Sequence, residues 1–453
     1  MHINIFETIN LCIVLGLFAF IKYRTDVETL LISLFIYGSL HFSFVVLVLT
    51  LTSNDASNHL IKMHQEGGGL LVQFSALLFL VSVFYFLSKQ AYHSISMLSN
   101  SPYGDTKRKI VFQLLLVMGA LFLSYLFNIR PSDSLQLKNI LSIEAMMFLV
   151  LLGFTGCDNF NVKRLYKLLP LIILIVFVAD SIAFYEIFSH KAWAVFMDSH
   201  GSLVYRASSL LFNPNLLAFW AAFIYLSAAY CMNAYEYKYK AMLLLMILAS
   251  VAIYLSGARS FFYLLLVVLF FPLFLQRKSF YWLPLVVLPF TMLFLYFSVK
   301  FLIKYAIEND NGFDEFILLG ERFFFAVQYL VSYIKMDSNL PIEIKTSIEG
   351  RYNGDGCDSG WMVLYQDAGL GGAISIIYLC FIFFWLAWRS YIATHSIASV
   401  YALMILCFCI LTGLVMRIQI FPVWLFIGVF LIPCLIYWSK VISTKLIESQ
   451  CVH

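Results

Sequence analysis

Arg206, Arg259, Arg322, Arg351 and Arg417 all stand in or beside the polar breaks of a chain that is otherwise a string of apolar runs. A guanidinium at the centre of a lipid-facing helix costs about 2.5–3.5 kcal/mol, so arginines concentrate there only where something repays them. Gathered at one membrane face, they suggest a seat for a multiply charged anion. The planar guanidinium fork takes phosphate oxygens two at a time.

Four stretches carry this chemistry. In YRASSLLFNPNLLAFW, residues 205–220, Arg206 precedes an Asn-Pro-Asn turn (Asn213, Pro214, Asn215) that opens an apolar helix. Proline in a first helical turn with asparagine beside it is a helix-start signal. The plainer alternative is a helix cap with an arginine snorkelling to the interface. In YLSGARSFFYLL, residues 254–265, Ser256, Gly257, Arg259 and Ser260 break one apolar run into two. A helix N-terminus after Gly257 would add backbone donors to the cationic side chain, which suits phosphate; the alternative is a simple turn between helices. Arg322 lies in GERFFFAVQYL, where Glu321 is an alternative ionic neighbour. The fourth stretch, 349–372, holds Arg351, Asp355, Asp358, Ser359, Tyr365 and Asp367. Acids just outside a span could activate a hydroxyl or orient a sugar acceptor; the alternative is a solvated turn. Arg417, in GLVMRIQIFPVW, ends a span and is the weakest of the set.

The elements that must position these residues follow from composition. Of 453 residues, 62% are hydrophobic and only 12% charged, with mean hydropathy +0.88. A soluble domain carries about 25% charged residues, so a soluble or disordered chain is excluded. The expectation is a single all-α membrane domain over 1–453, a polytopic helical bundle. The net charge of +4 is spread through loops and does not argue for nucleic acid. The nine cysteines lack CxxC spacing and read as small buried hydrophobes, with no zinc site and no disulfide framework.

With about 20 apolar residues needed per span, spans fall near 5–22, 28–51, 68–87, 110–128, 139–156, 168–188, 209–232, 240–256, 260–276, 279–302, 368–388, 397–416 and 420–438, about 12–14 transmembrane helices. The first run lacks a basic leader and a small-residue cleavage site, so it reads as a retained helix. Lysine and arginine clusters at 22–24, 89, 107–109, 163–167, 238–240, 277–278, 389 and 440–445 lie on one side, which the positive-inside rule makes cytoplasmic. The arginine motifs then face the outside, the periplasm of a Gram-negative cell. There the largest segment is 303–367, with an amphipathic interfacial helix expected over 313–334. Gly369, Gly371 and Gly372 lead into the next span and allow close helix approach. No internal repeat is evident. Asp180 is the clearest intramembrane acid, and Glu144 is another.

Taken in order, these motifs form a pattern: Arg206 with Asn-Pro-Asn opening a span, Ser-Gly-x-Arg between two later spans, Arg322 at the head of a large external loop, and Asp358-Ser359-Gly360 followed by Gly369-Leu370-Gly371-Gly372. Over roughly residues 200–430 the chain resembles the O-antigen polymerase and O-antigen ligase superfamily of bacterial inner membranes. The resemblance implies an inverting, metal-independent glycosyltransferase without cofactor. Donor and acceptor would be undecaprenyl-pyrophosphate-linked glycans at the periplasmic face, surrounded by membrane lipid, with a chain-length regulator protein as a further partner of a polymerase. Arg206 and Arg259 match the motif arginines that hold the pyrophosphate, with Arg322 and Arg351 beside them. Asn213, Asn215, Tyr365 and Arg417 would line the substrate path. Ligases of the superfamily resemble one another in carrying a histidine in the large external loop. None of the nine histidines here lies in 303–367, and Asp358-Ser359 stands where a ligase would show His-Asn. That favours a polymerase, with Asp358 as first candidate base, Asp355 and Glu349 behind it, and His200 as another. The other readings are a ligase or protein O-oligosaccharyltransferase, and a flippase for lipid-linked sugar.

Overall fold

The computed structural model describes residues 5–23, isolated helical positions between 78 and 89, and residues 104–127, 169–188, 194–197, 203–207, 209, 214–235, 239–275, 286–295, 360–394 and 397–415. The elements are α1 (Ile5–Tyr23), α2 (Gly104–Phe127), α3 (Leu169–Phe188), β1 (Ala194–Met197), β2 (Leu203–Arg206), α4 (Pro214–Tyr235), α5 (Tyr239–Leu255), α6 (Arg259–Leu275), α7 (Gly360–Thr394) and α8 (Ile397–Val415).

The helical expectation holds for nearly all of this. Three helices are long and apolar enough to cross a membrane: Arg108–Phe127, Leu169–Phe188 and Gly369–Arg389, with mean hydropathies of 2.3, 2.3 and 2.2. Shorter apolar helices include Pro214–Ala229, Tyr239–Leu255 and Phe261–Phe270. The outward faces are as apolar as the inward ones: Leu116, Phe127, Leu174, Phe177, Phe290 and Phe381 are all exposed. A water-facing helix would put polar residues there, whereas a lipid-facing helix has no reason to. The helix hydroxyls behave accordingly, exposed and buried alike. Those of Ser181, Ser227, Ser250 and Ser375 each donate to the carbonyl four residues back, at 2.8–2.9 Å, because a helix in an apolar medium must satisfy its own polar groups.

One departure from the all-α expectation is an antiparallel hairpin, in which Ala194 pairs with Arg206 and Met197 with Leu203. It lies between the spans expected at 168–188 and 209–232 and ends on Arg206.

Helix α4 is the centre of the described packing. It contacts α5, α6 and α8, while α5 also contacts α3 and α8 contacts α7, which in turn packs on α2. From Leu216 to Leu226 every residue of α4 is buried, as expected of a helix apolar all round and enclosed by others. Phe219 of α4 stacks on Phe408 of α8 with centroids 5.7 Å apart, and meets Phe261 of α6 edge-on at 6.2 Å. Phe261 and Phe408 lie 6.5 Å apart. These three buried rings join three helices. Offset and edge-on geometry adds about 0.5–1.5 kcal/mol per pair beyond area burial.

The α2–α7 contact depends on one glycine. A Cβ at Gly371 would lie 2.6 Å from Ser124 Oγ and 3.2 Å from Ser124 Cβ. Of the three glycines expected to permit close approach, this one meets α2 directly. Gly369 has a different use. Its φ of 65° and ψ of −169° kink α7 in a conformation essentially restricted to glycine, separating residues 360–368 from the apolar span that follows.

Candidate functional site

Arg206 ends strand β2, and the next residue ties the strand to the end of α5: Ala207 N donates to Leu255 O at 3.0 Å. This places the Arg206 side chain over the turn between α5 and α6. Its Nε donates to Ser256 O at 3.0 Å, and its Nη2 donates to Asn215 Oδ1 at 2.9 Å. Anchoring both nitrogens fixes the guanidinium plane and so the directions of its remaining N–H bonds. Lysine, with a single rotating ammonium, cannot be held this way. The arginine is half-buried, and the adjoining Gly257 is exposed.

The turn itself is built by three residues. Gly257 closes α5 in the left-handed region, φ 61°, as helix-ending glycines do. A side chain here would also crowd the arginine, since a Cβ at 257 would lie 3.1 Å from Arg206 Cγ and 3.4 Å from its Nε. Buried Ser256 donates its hydroxyl to Ile253 O at 2.6 Å and accepts from Ala258 N at 3.1 Å. It thus caps the end of α5 and the start of α6 together. Arg259 is the first residue of α6.

Asn215 is the second residue of α4, after Pro214. Two helix N-termini, those of α4 and α6, therefore flank Arg206. Neither has an acidic residue in its first turn. Helix starts ordinarily favour acids, because the aligned peptide dipoles leave about half a positive charge there. Here the first turns offer Asn215 and Arg259 instead. The buried triplet Phe219, Phe261 and Phe408 braces this end, Phe219 lying one helical turn below Asn215 and Phe261 two residues past Arg259. The held guanidinium of Arg206 and two acid-free helix starts place donors and positive potential beside an exposed turn, chemically suited to an oxyanion.

The Arg206 segment also meets α3. Buried Glu186 accepts from Ser209 N through Oε2 at 3.0 Å, and Ser209 Oγ donates to Ala179 O at 2.6 Å. Ser209 has φ 46° and is the described non-glycine residue with positive φ. Asp180, next to Ala179, is also buried, and among the described residues neither of its carboxylate oxygens has a hydrogen-bond partner.

Of the residues expected at the site, the structure brings together Arg206, Asn215 and the Ser256–Gly257 turn that leads to Arg259. For Arg259 and Tyr365 only the helix backbone is described, Tyr365 lying on α7 ahead of the Gly369 kink. Asn213, Arg322, Arg351, Asp355, Asp358 and Arg417 lie outside the described residues, as do the interfacial helix expected over 313–334 and His200. Sequence reasoning missed Glu186 and Ser209. Each is unremarkable in its own stretch, and only their contact across 23 positions gives them a role. Among the described residues no three of histidine, cysteine, aspartate and glutamate converge as metal ligands. Compared with known proteins, the chain matches no family model and no curated sequence.

Proposed function

We propose that this chain is an O-antigen polymerase: a metal-independent, inverting glycosyltransferase that joins undecaprenyl-pyrophosphate-linked repeat units at the periplasmic face of a bacterial inner membrane. The reading includes a bundle of about 12–14 spans, with 303–367 as a large periplasmic segment over the site. The observation that carries it is the guanidinium of Arg206, held at two nitrogens between two helix N-termini that bear no acid. Such a frame suits a diphosphate better than a neutral sugar or a cation.

The chemistry follows from charge. As the bond between the donor's anomeric carbon and its phosphate oxygen breaks, negative charge builds on the departing lipid pyrophosphate. Donors fixed beforehand stabilise that charge without having to reorganise, and loss of one such donor typically costs about 10²–10³ in rate. Arg206 and Arg259 hold the pyrophosphate, with Arg322 and Arg351 beside it. The acceptor hydroxyl attacks the anomeric carbon from the opposite face, which inverts it. The hydroxyl proton passes to a carboxylate of the 349–367 segment, with Asp358 first in line and Asp355 next. The products are a glycan one transfer longer and free undecaprenyl pyrophosphate.

The absence of histidine from 303–367 favours a polymerase over a ligase. One feature favours the flippase alternative: Asp180 is a buried carboxylate within an apolar helix, and intramembrane acids often mark transport paths. A lipopolysaccharide gel from a deletion strain separates the readings. Core capped with a single repeat is expected. Bare core with polymer on the carrier lipid would mean a ligase, and bare core with repeat units trapped on the cytoplasmic leaflet a flippase.

A further inference from the structure

We infer that Glu186 is a positioning residue for Arg206: its carboxylate grips the backbone at Ser209 and so holds the arginine segment against the α5–α6 turn. The inference rests on the reading of Arg206 as the anion-holding residue.

The segment 206–209 is fastened from two sides. On one side Ala207 N and Arg206 Nε donate to consecutive carbonyls, Leu255 O and Ser256 O. On the other, Ser209 N donates to Glu186 Oε2 and Ser209 Oγ to Ala179 O, both on α3. Ala179 and Glu186 are seven residues apart, two helical turns, and so share one face of α3. Within this grip Ser209 sits in the left-handed region, φ 46°, which a residue with a Cβ visits only when its surroundings hold it there. Glu186 and Ser209 are both buried, so bulk water does not compete for the bond. Without the α3 anchor, the segment would keep its bonds to the α5–α6 turn and to Asn215 but could shift along them. The second anchor sets the depth at which the guanidinium sits.

The test uses the full-length protein in dodecylmaltoside with two readouts. One is the rate at which phenylglyoxal modifies Arg206, followed on its peptide by mass spectrometry. The other is binding of undecaprenyl pyrophosphate. Glu186→Ala is expected to raise the modification rate several-fold and weaken binding about tenfold, the size expected when a buried N–H loses its acceptor. Glu186→Gln keeps an acceptor oxygen and is expected to match the native protein within about twofold in both. A residue that merely supported α3 would lower the melting temperature of both variants without this split. If Glu186→Ala does not accumulate, Ser209→Ala removes the bond to Ala179 O and is expected to give a smaller rise in the same direction. Unchanged Arg206 reactivity in Glu186→Ala, or in Ser209→Ala where that variant stands in, would overturn the inference. If the native protein binds no undecaprenyl pyrophosphate while the reactivity pattern holds, the ligand reading fails and the positioning role stands.

Discussion

Arg206 Nη2 and Asn215 Oδ1 lie 2.9 Å apart, joining the end of a β-hairpin to the second residue of the central helix. The bond makes Asn215 an orienting group rather than a simple helix cap. Asn215→Ala should therefore leave the fold intact but let the guanidinium turn, lowering polymer formation about tenfold. Asn215→Asp keeps an acceptor but sets a carboxylate where the anion would compete for Arg206. It should melt at or above the native temperature, since an acid suits a helix N-terminus, and yet be less active than Asn215→Ala. Melting curves in detergent together with repeat-ladder gels check both halves. An active Asn215→Asp protein would remove the anion from the account.

Gly257→Ala should be damaging for two reasons that can be separated. The left-handed backbone alone costs an alanine about 1–2 kcal/mol, visible as a lower melting temperature. The new Cβ would also press on Arg206 Cγ from 3.1 Å, and this displaces the guanidinium in the molecules that remain folded. Gly257→Asn tolerates the left-handed conformation better and should recover part of the stability while recovering no activity. Recovery of both would mean that only the turn conformation matters.

The close approach of α2 and α7 supplies a test of the fold independent of any chemistry. Gly371→Ala would put a methyl 2.6 Å from Ser124 Oγ, and overpacking of this kind costs about 1–3 kcal/mol. Adding Ser124→Ala removes that contact and leaves the one at 3.2 Å, so the double variant should regain part of the lost melting temperature. Additive losses in the double variant would show that the two helices do not meet there.

Phe219→Ala should cost about 3–5 kcal/mol, because a fully buried ring in contact with three others leaves a cavity on truncation. Phe219→Leu should cost less stability but still loosen the floor beneath Asn215 and Arg259. The expected signature is a larger loss of activity than of melting temperature. Equal losses would confine the ring to packing.

Much of this architecture was legible in the apolar pattern. The span expected at 168–188 is the helix Leu169–Phe188, the one expected at 240–256 is Tyr239–Leu255, and the polar break after it is a true turn. Long apolar runs and a glycine flanked by polar residues are strong local signals. The hairpin was not legible, because strands of four residues between long helical runs leave too short an alternation to stand out. The start of α7 at Gly360 was hidden as well. Gln366 and Asp367 interrupt the hydropathy, while the backbone stays helical up to the kink at Gly369. At the site, the sequence pointed to Arg206, Asn215 and the Ser256–Gly257 turn one at a time. What joins them spans 50 positions between Arg206 and Ser256, and pairing at that distance is a property of the packed helices alone.

The most direct test replaces Arg206 on the chromosome of the source strain with alanine or with lysine, at matched protein levels, and reads the lipopolysaccharide on a gel. The two bonds to Ser256 O and Asn215 Oδ1 require a guanidinium, so the account predicts that lysine fails almost as completely as alanine, with core capped by a single repeat in both strains. A full ladder from either variant would contradict it.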